Sequence, residues 1–122
     1  MSTTQPGDQM PDGTVYVGLS PTDGRPLYAM PHDLRGLHTW AAAKTASAAQ
    51  TFGSHTDWRL STKEELDMLY RARDAVGGFQ PGWYWSSFQI GDHLACGQGF
   101  SGGSRGFAST NASSHVRCVR SR

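Results

Sequence analysis

The sequence predicts one α+β domain, with two helices beside short antiparallel strands, and three observations point to it. Runs of alternating character stand at both ends of the chain, around residues 14–30 and 83–120. Two segments of helical composition and period lie between them. The length of 122 residues suits a single core, and although only 37% of residues are hydrophobic, four Trp, four Tyr and five Phe supply large buried areas.

Residues 1–13 are polar, carry Pro and Gly, and read as an N-terminal arm before a domain spanning 14–122. Thr14–Leu19 and Pro26–Met30 alternate like strands, and SPTDGR between them has turn chemistry, so a hairpin is expected. TWAAAKTASAAQ, residues 39–50, is rich in the best helix former; Thr39 is placed to cap it, and Ala42, Ala46 and Ala49 share one face. A second helix starts at Ser61 or Thr62, because Glu64 or Glu65 then completes a capping box. Leu66, Leu69, Tyr70 and Val76 form its apolar stripe, while Glu64, Glu65, Asp67 and Asp74 are assigned to the solvent face. Gly77-Gly78 is expected to end it in left-handed backbone.

Composition then changes. From Gly77 onward there is no Lys or Glu and one Asp, Asp92, but much Gly and Ser. Trp83–Ser87, Leu94–Phe100 and His115–Arg120 alternate and are predicted to join one antiparallel sheet. The intervening SGGSRGFASTNASS has no apolar period and reads as an ordered surface loop.

Several function classes are excluded at this stage. A net charge of +1 with no Lys/Arg run argues against a nucleic-acid partner. No basic segment followed by an apolar run opens the chain, so synthesis in the cytoplasm without a signal peptide is expected, with display only after assembly into a larger particle such as a virion or tail. No stretch is long and apolar enough for membrane insertion. Cys96 and Cys118 are read as two buried, reduced thiols. The five histidines show no ligand spacing, so no metal and no organic cofactor is expected. GQGFSG at Gly97–Gly102 matches a dinucleotide-binding pattern but opens no helix, and no Gly-x-Ser-x-Gly elbow is present. The chain is therefore read as a binding module, not an enzyme.

Three ordered motifs carry a family resemblance: DWRLSTKEEL at Asp57–Leu66, YWSS at Tyr84–Ser87 and VRCVR at Val116–Arg120. Together they resemble the Lcl C-terminal-domain family, named for the last domain of a bacterial collagen-like adhesin. One departure is Ser61, where that family usually has Pro. The resemblance implies a C-type-lectin-like fold of the formylglycine-generating-enzyme branch, with a twisted antiparallel sheet and a long irregular region on one face. It also implies kinship with the variable proteins of diversity-generating retroelements, found in phages and bacteria. Its alternative implication is a carbohydrate-binding adhesin domain. The enzyme chemistry of that fold branch needs a closely placed reactive Cys pair, whereas Cys96 and Cys118 belong to separate predicted strands.

A displayed surface varies only where its residues do not hold the fold. Alternation sets Gly97, Gly99 and Ser101 opposite Cys96 and Phe100, on a face free to change. Ile90, Asp92, His93, Ser104, Arg105, Phe107, Ser109, Asn111 and Ser113 join them from loops as candidate ligand-binding residues. Phe107 and Arg105 are the expected affinity carriers, since aromatics and Arg dominate binding hot spots. The partner class is a protein or carbohydrate on a cell or particle surface, and the arm offers a route to assembly or homo-oligomers.

Overall fold

A computed structural model describes residues 4–121. The chain forms β1 (Val15–Leu19), β2 (Pro26–Ala29), α1 (Trp40–Ala48), a 3₁₀ turn at Phe52–Ser54, α2 (Lys63–Arg71), α3 (Arg73–Val76), β3 (Trp83–Ile90), β4 (Leu94–Gly99), β5 (Arg105–Ser109) and β6 (Val119–Ser121). This is an α+β domain with two three-stranded antiparallel sheets, ordered β1-β2-β6 and β3-β4-β5.

The single predicted sheet is thus corrected to two. The alternating His115–Arg120 segment does not pair along its length with β3 or β4. His115 forms a parallel bridge to Tyr84, and only Val119–Ser121 forms a ladder, with β2. Between these points the carbonyls of Val116 and Cys118 accept from the N–H groups of Leu34 and Met30. One extended run therefore stitches the second sheet to the first, and alternation alone cannot say which neighbours an extended run takes.

That seam also divides the core. Successive strand residues point to opposite faces. Tyr84, Ala29 and Val119 join Val17, Leu27, Leu66, Leu69 and Phe100 on one side. Trp85, Met30 and Cys118 join Trp40, Ala43, Trp58 and Val116 on the other. Helix α2 covers the first cluster and α1 the second.

Thr39 and Thr62 cap the two helices as the sequence suggests, and the Thr62–Glu65 capping box is complete in both directions. Three helix details differ from expectation. The buried face of α1 is Trp40, Ala43 and Ser47, while Ala42 and Ala49 are exposed. Alanine at five of the nine positions carries no phase, so the face is set by Trp40. Val76 lies on the separate turn α3, because the helix breaks at Ala72. Gly77 has φ 81° with ψ 167°, a glycine-only extended form and not the left-handed helical one.

Glu65 is not on the solvent face; it is fully buried. Its Oε2 accepts from the Ser20 hydroxyl at 2.6 Å and Arg59 Nη2 at 3.0 Å, and its Oε1 from Arg59 Nη1 at 2.7 Å. Burial opposes its charge, but Arg59, Ser20 and the Thr62 N–H outweigh burial and hold the carboxyl below its ordinary range. Arg117, 2% exposed, is the second buried charge. Its Nε donates to Asp33 Oδ1 at 2.9 Å, its Nη1 to the carbonyls of Met30 and Gly77, and it lies 3.9 Å from the Phe79 ring centroid. The residues read as a polar arm fold back on β1: Gly7 N–H donates to the Tyr16 carbonyl, and Gln9 bridges Val15.

Candidate functional site

The candidate site lies on the second sheet. β3 runs past Ser87 to Ile90, and its register against β4 jumps from Trp85↔Gly97 to Gln89↔Ala95. Four residues of β3 therefore span two of β4. The Ser86 hydroxyl fastens this bulge, donating to the Cys96 carbonyl at 2.7 Å and accepting from Phe88 N–H at 3.2 Å. A bulge re-aims the side chains that follow it, and here Ser87 to Ile90 all emerge into solvent.

The segment read as a loop contains β5. Its residues pair in unbroken register with β4, from Leu94↔Ser109 to Gln98↔Arg105. No apolar period announces the strand because Gly106 and Ala108 fill its inward positions, and they are small where Trp83 and Ala95 fill the space instead.

Directly paired residues share a face. Ile90, Leu94, Phe107, Ser109 and Arg105 thus lie along one side of the sheet. At the Gln98 end, α2 covers that side: Gln98 Nε2 donates to Asp67 Oδ1 at 3.0 Å. At the other end none of the described residues covers it. Phe88 is 39% exposed, Ile90 47%, Leu94 43% and Phe107 50%. The Phe88 and Phe107 rings stand 6.4 Å apart, and Lys63 Nζ sits 4.3 Å from the Phe88 centroid. Large apolar side chains grouped in the open are uncommon on soluble proteins unless something binds there.

Of the residues expected from sequence, Ile90, Phe107, Ser109 and Arg105 come together on this face, with Asp92 and His93 exposed in the turn beside Ile90. Ser101 and Ser104 are exposed at the opposite end of β5, and Asn111 and Ser113 in the turn beyond it. Gly97 is corrected: it is buried, and a Cβ there would meet Trp83 Nε1 and the Tyr84 carbonyl at 2.4 Å. Gly99, half-buried, faces the same indole at 4.0 Å. These glycines form the floor under Trp83 and belong to the scaffold. Phe88, Leu94 and Lys63 are the residues that sequence reasoning missed. The run of Ser87, Phe88, Gln89 and Ile90 without a turn residue was the available signal that β3 continues.

A second concavity, of about 680 Å³, lies between the first hairpin turn, α1 and the segment before α2. Thr22, Arg25, Lys44, Asp57, Thr62 and Ser121 contribute to its polar lining. Among the described residues no three His, Cys, Asp or Glu side chains converge as a metal site, and no helix is long and apolar enough to cross a membrane.

The family model for the Lcl C-terminal domain matches residues 22–120, from the first hairpin turn into β6, and leaves β1 outside the match. The chain belongs to the Lcl C-terminal domain family. Within this Lcl C-terminal domain, the three motif segments hold the scaffold. Asp57 takes two hydrogen bonds from Arg120, Arg59 clamps Glu65, and Tyr84, Trp85 and Arg117 are buried. The apolar residues of the exposed patch lie outside all three, and Lys63 beside Phe88 belongs to the first. The departure at Ser61 leaves a buried hydroxyl without a hydrogen-bond partner among the described residues. No curated protein matches the chain.

Proposed function

We propose that this chain is a ligand-recognition module, not an enzyme, with a C-type-lectin-like fold of the formylglycine-generating-enzyme branch. It presents the open end of the β3-β4-β5 sheet to a protein on a cell or particle surface, in the manner of a retroelement-diversified variable protein or a phage receptor-binding component. The observation that carries this reading is the uncovered group of Phe88, Ile90, Leu94 and Phe107, seated on a rigid sheet with Lys63 and Arg105 on the same side. Aromatic and Arg side chains on rigid elements give affinity at small entropic cost.

Fluorescently labelled chain, applied to a panel of bacterial cells and to a glycan array, tests it. Cell binding that Phe107→Ser and Ile90→Ser both abolish, with melting temperature unchanged, supports the reading. Binding indifferent to both variants refutes it. A reverse-transcriptase gene beside this one, with a near-copy template of residues 84–120, would favour the diversified form. The carbohydrate-adhesin reading draws on a different observation, the hydroxyl-bearing 680 Å³ cleft; glycan binding lost in Thr22→Val and Lys44→Ala, and kept in Phe107→Ser, would favour it.

A further inference from the structure

The patch ends at a sheet edge, and that edge is open. In an antiparallel ladder, residues alternate between bonding inward and pointing their N–H and C=O away. Gly99 N–H donates to the Ser104 carbonyl at 2.9 Å, so Ser104, Gly106 and Ala108 bond toward β4. Arg105, Phe107 and Ser109 then direct their backbone groups outward, the Ser109 carbonyl also accepting from Ala112 N–H at 2.9 Å. Among the described residues, the N–H and C=O of Arg105 and Phe107 have no partner beyond this ladder. Natural edges guard themselves with Lys, Pro, a bulge or a covering segment. Among the described residues β5 has no Lys, Pro or bulge, and its one charge, Arg105, stands at its end; the bulges fall in β1 and β3.

We infer that β5 pairs antiparallel with β5 of a second copy of this chain, about a two-fold axis at Phe107. The strand is self-complementary in this register. Five residues meet five, with Phe107 opposite its own image and each Arg105 opposite Ser109. Centring on Arg105 instead would oppose the two guanidinium groups directly and leave most of the strand unpaired. Centring on Phe107 keeps the only two charges of the pair at opposite ends. A contact of this kind is isologous and closes on itself, so it yields a dimer and not a fibre. It also changes the binding face. Two three-stranded sheets become one of six strands, and the exposed patch of each copy gains the partner's Phe107 at its centre. The recognition surface is then a single two-fold-symmetric strip, and a ligand on a cell surface meets two patches at once.

Sedimentation equilibrium of the full chain tests the pairing. A concentration-dependent monomer–dimer equilibrium is expected for the native sequence. Phe107→Lys places two like charges face to face and Phe107→Pro removes the central outward N–H, so both should be monomeric wherever the native chain is dimeric. Circular dichroism checks that each remains folded, as a half-exposed position permits. Ile90→Lys, two strands from the edge, should still dimerise. In a Cys96→Ser background, which removes the thiol that faces position 107 within the chain, Phe107→Cys should give a covalent dimer under mild oxidation, since facing residues of a hydrogen-bonded pair stand about 5.5 Å apart, within disulfide reach; Ser101→Cys in the same background, off the pairing, should not. A native chain that stays monomeric, or dimers that survive both Phe107→Lys and Phe107→Pro, overturn the inference. Neither result touches the single-copy patch, whose ligand binding is measured separately on cells.

Discussion

Adding one methyl group at Gly97 separates scaffold from display more sharply than any change on the surface. Its Cβ would lie 2.4 Å from both Trp83 Nε1 and the Tyr84 carbonyl oxygen, and 2.6 Å from Trp83 Cε2. The carbonyl belongs to the backbone of the neighbouring strand, so no rotamer change relieves the clash. The indole is itself confined, with Gly106 close to its far edge. Forcing one carbon into a packed site of this kind costs about 1–3 kcal/mol, and the backbone contact places Gly97→Ala at the upper end. For a domain of this size each kcal/mol lowers the melting temperature by roughly 3–6 °C. Gly102→Ala is the matched control, because a Cβ there has open space and the backbone does not require glycine; it should stay within about 0.5 kcal/mol of the parent. Thermal melts and urea titrations on the two variants suffice. A Gly97→Ala protein as stable as the parent would mean that Trp83 does not rest on β4, and Gly97 would return to the list of freely variable positions.

Other outcomes follow from the same packing. Trp85→Ala, emptying a site 1% exposed, should cost about 3–5 kcal/mol by chemical denaturation, whereas His93→Ala and Ser104→Ala on the exposed turns should each stay within about 0.5 kcal/mol. Ser61→Pro should stabilise by about 0.4–1 kcal/mol in thermal melts, since it removes a partnerless buried hydroxyl and restricts the unfolded chain. The thiols of native protein should resist a thiol reagent until denaturant is added, because both cysteines are buried and burial pushes Cys118 up to about 11. Glu65 has a depressed folded-state pKa, so its contribution is present above the ordinary value of 4.5 and is lost as pH falls below it; Glu65→Gln should flatten the acid limb of the stability–pH curve.

Helix caps and the first hairpin were legible in the sequence because each rests on local chemistry: Thr39, the Thr62–Glu65 box, and Asp-Gly in a turn. The two thiols were likewise read correctly as buried. What escaped depends on neighbours distant in the chain. β5 has the pattern of a loop because its inward residues are Gly and Ala, and those are required only once Trp83 lies across them. Glu65 looks solvent-facing until Ser20, from a different element, and Arg59 close around it. The site followed the same rule. Phe107, chosen by residue type, and Ile90, read as a loop residue, are exposed, but Gly97 was assigned to the free face from strand parity alone. Parity says which residues share a face and not which face is covered.

That division leaves the fold independent of the exposed patch. The fold is pinned by two buried charges that tie sequence-distant segments: Arg59–Glu65 joins the approach to α2 with the hairpin at Ser20 and with β6 through Ser121, and Arg117–Asp33 joins the seam to the loop after β2 and to Gly77. Removing one partner of such a pair leaves an uncompensated buried charge, which costs several kcal/mol. Neither network touches Phe88, Ile90, Leu94 or Phe107. The bulge after Trp85 achieves the separation within one strand, since its first half carries Tyr84 and Trp85 into the two core clusters and its second half turns outward. Substitutions beyond Ser86 on β3, or at the odd-numbered positions of β5, therefore alter what the sheet presents without loosening what holds it.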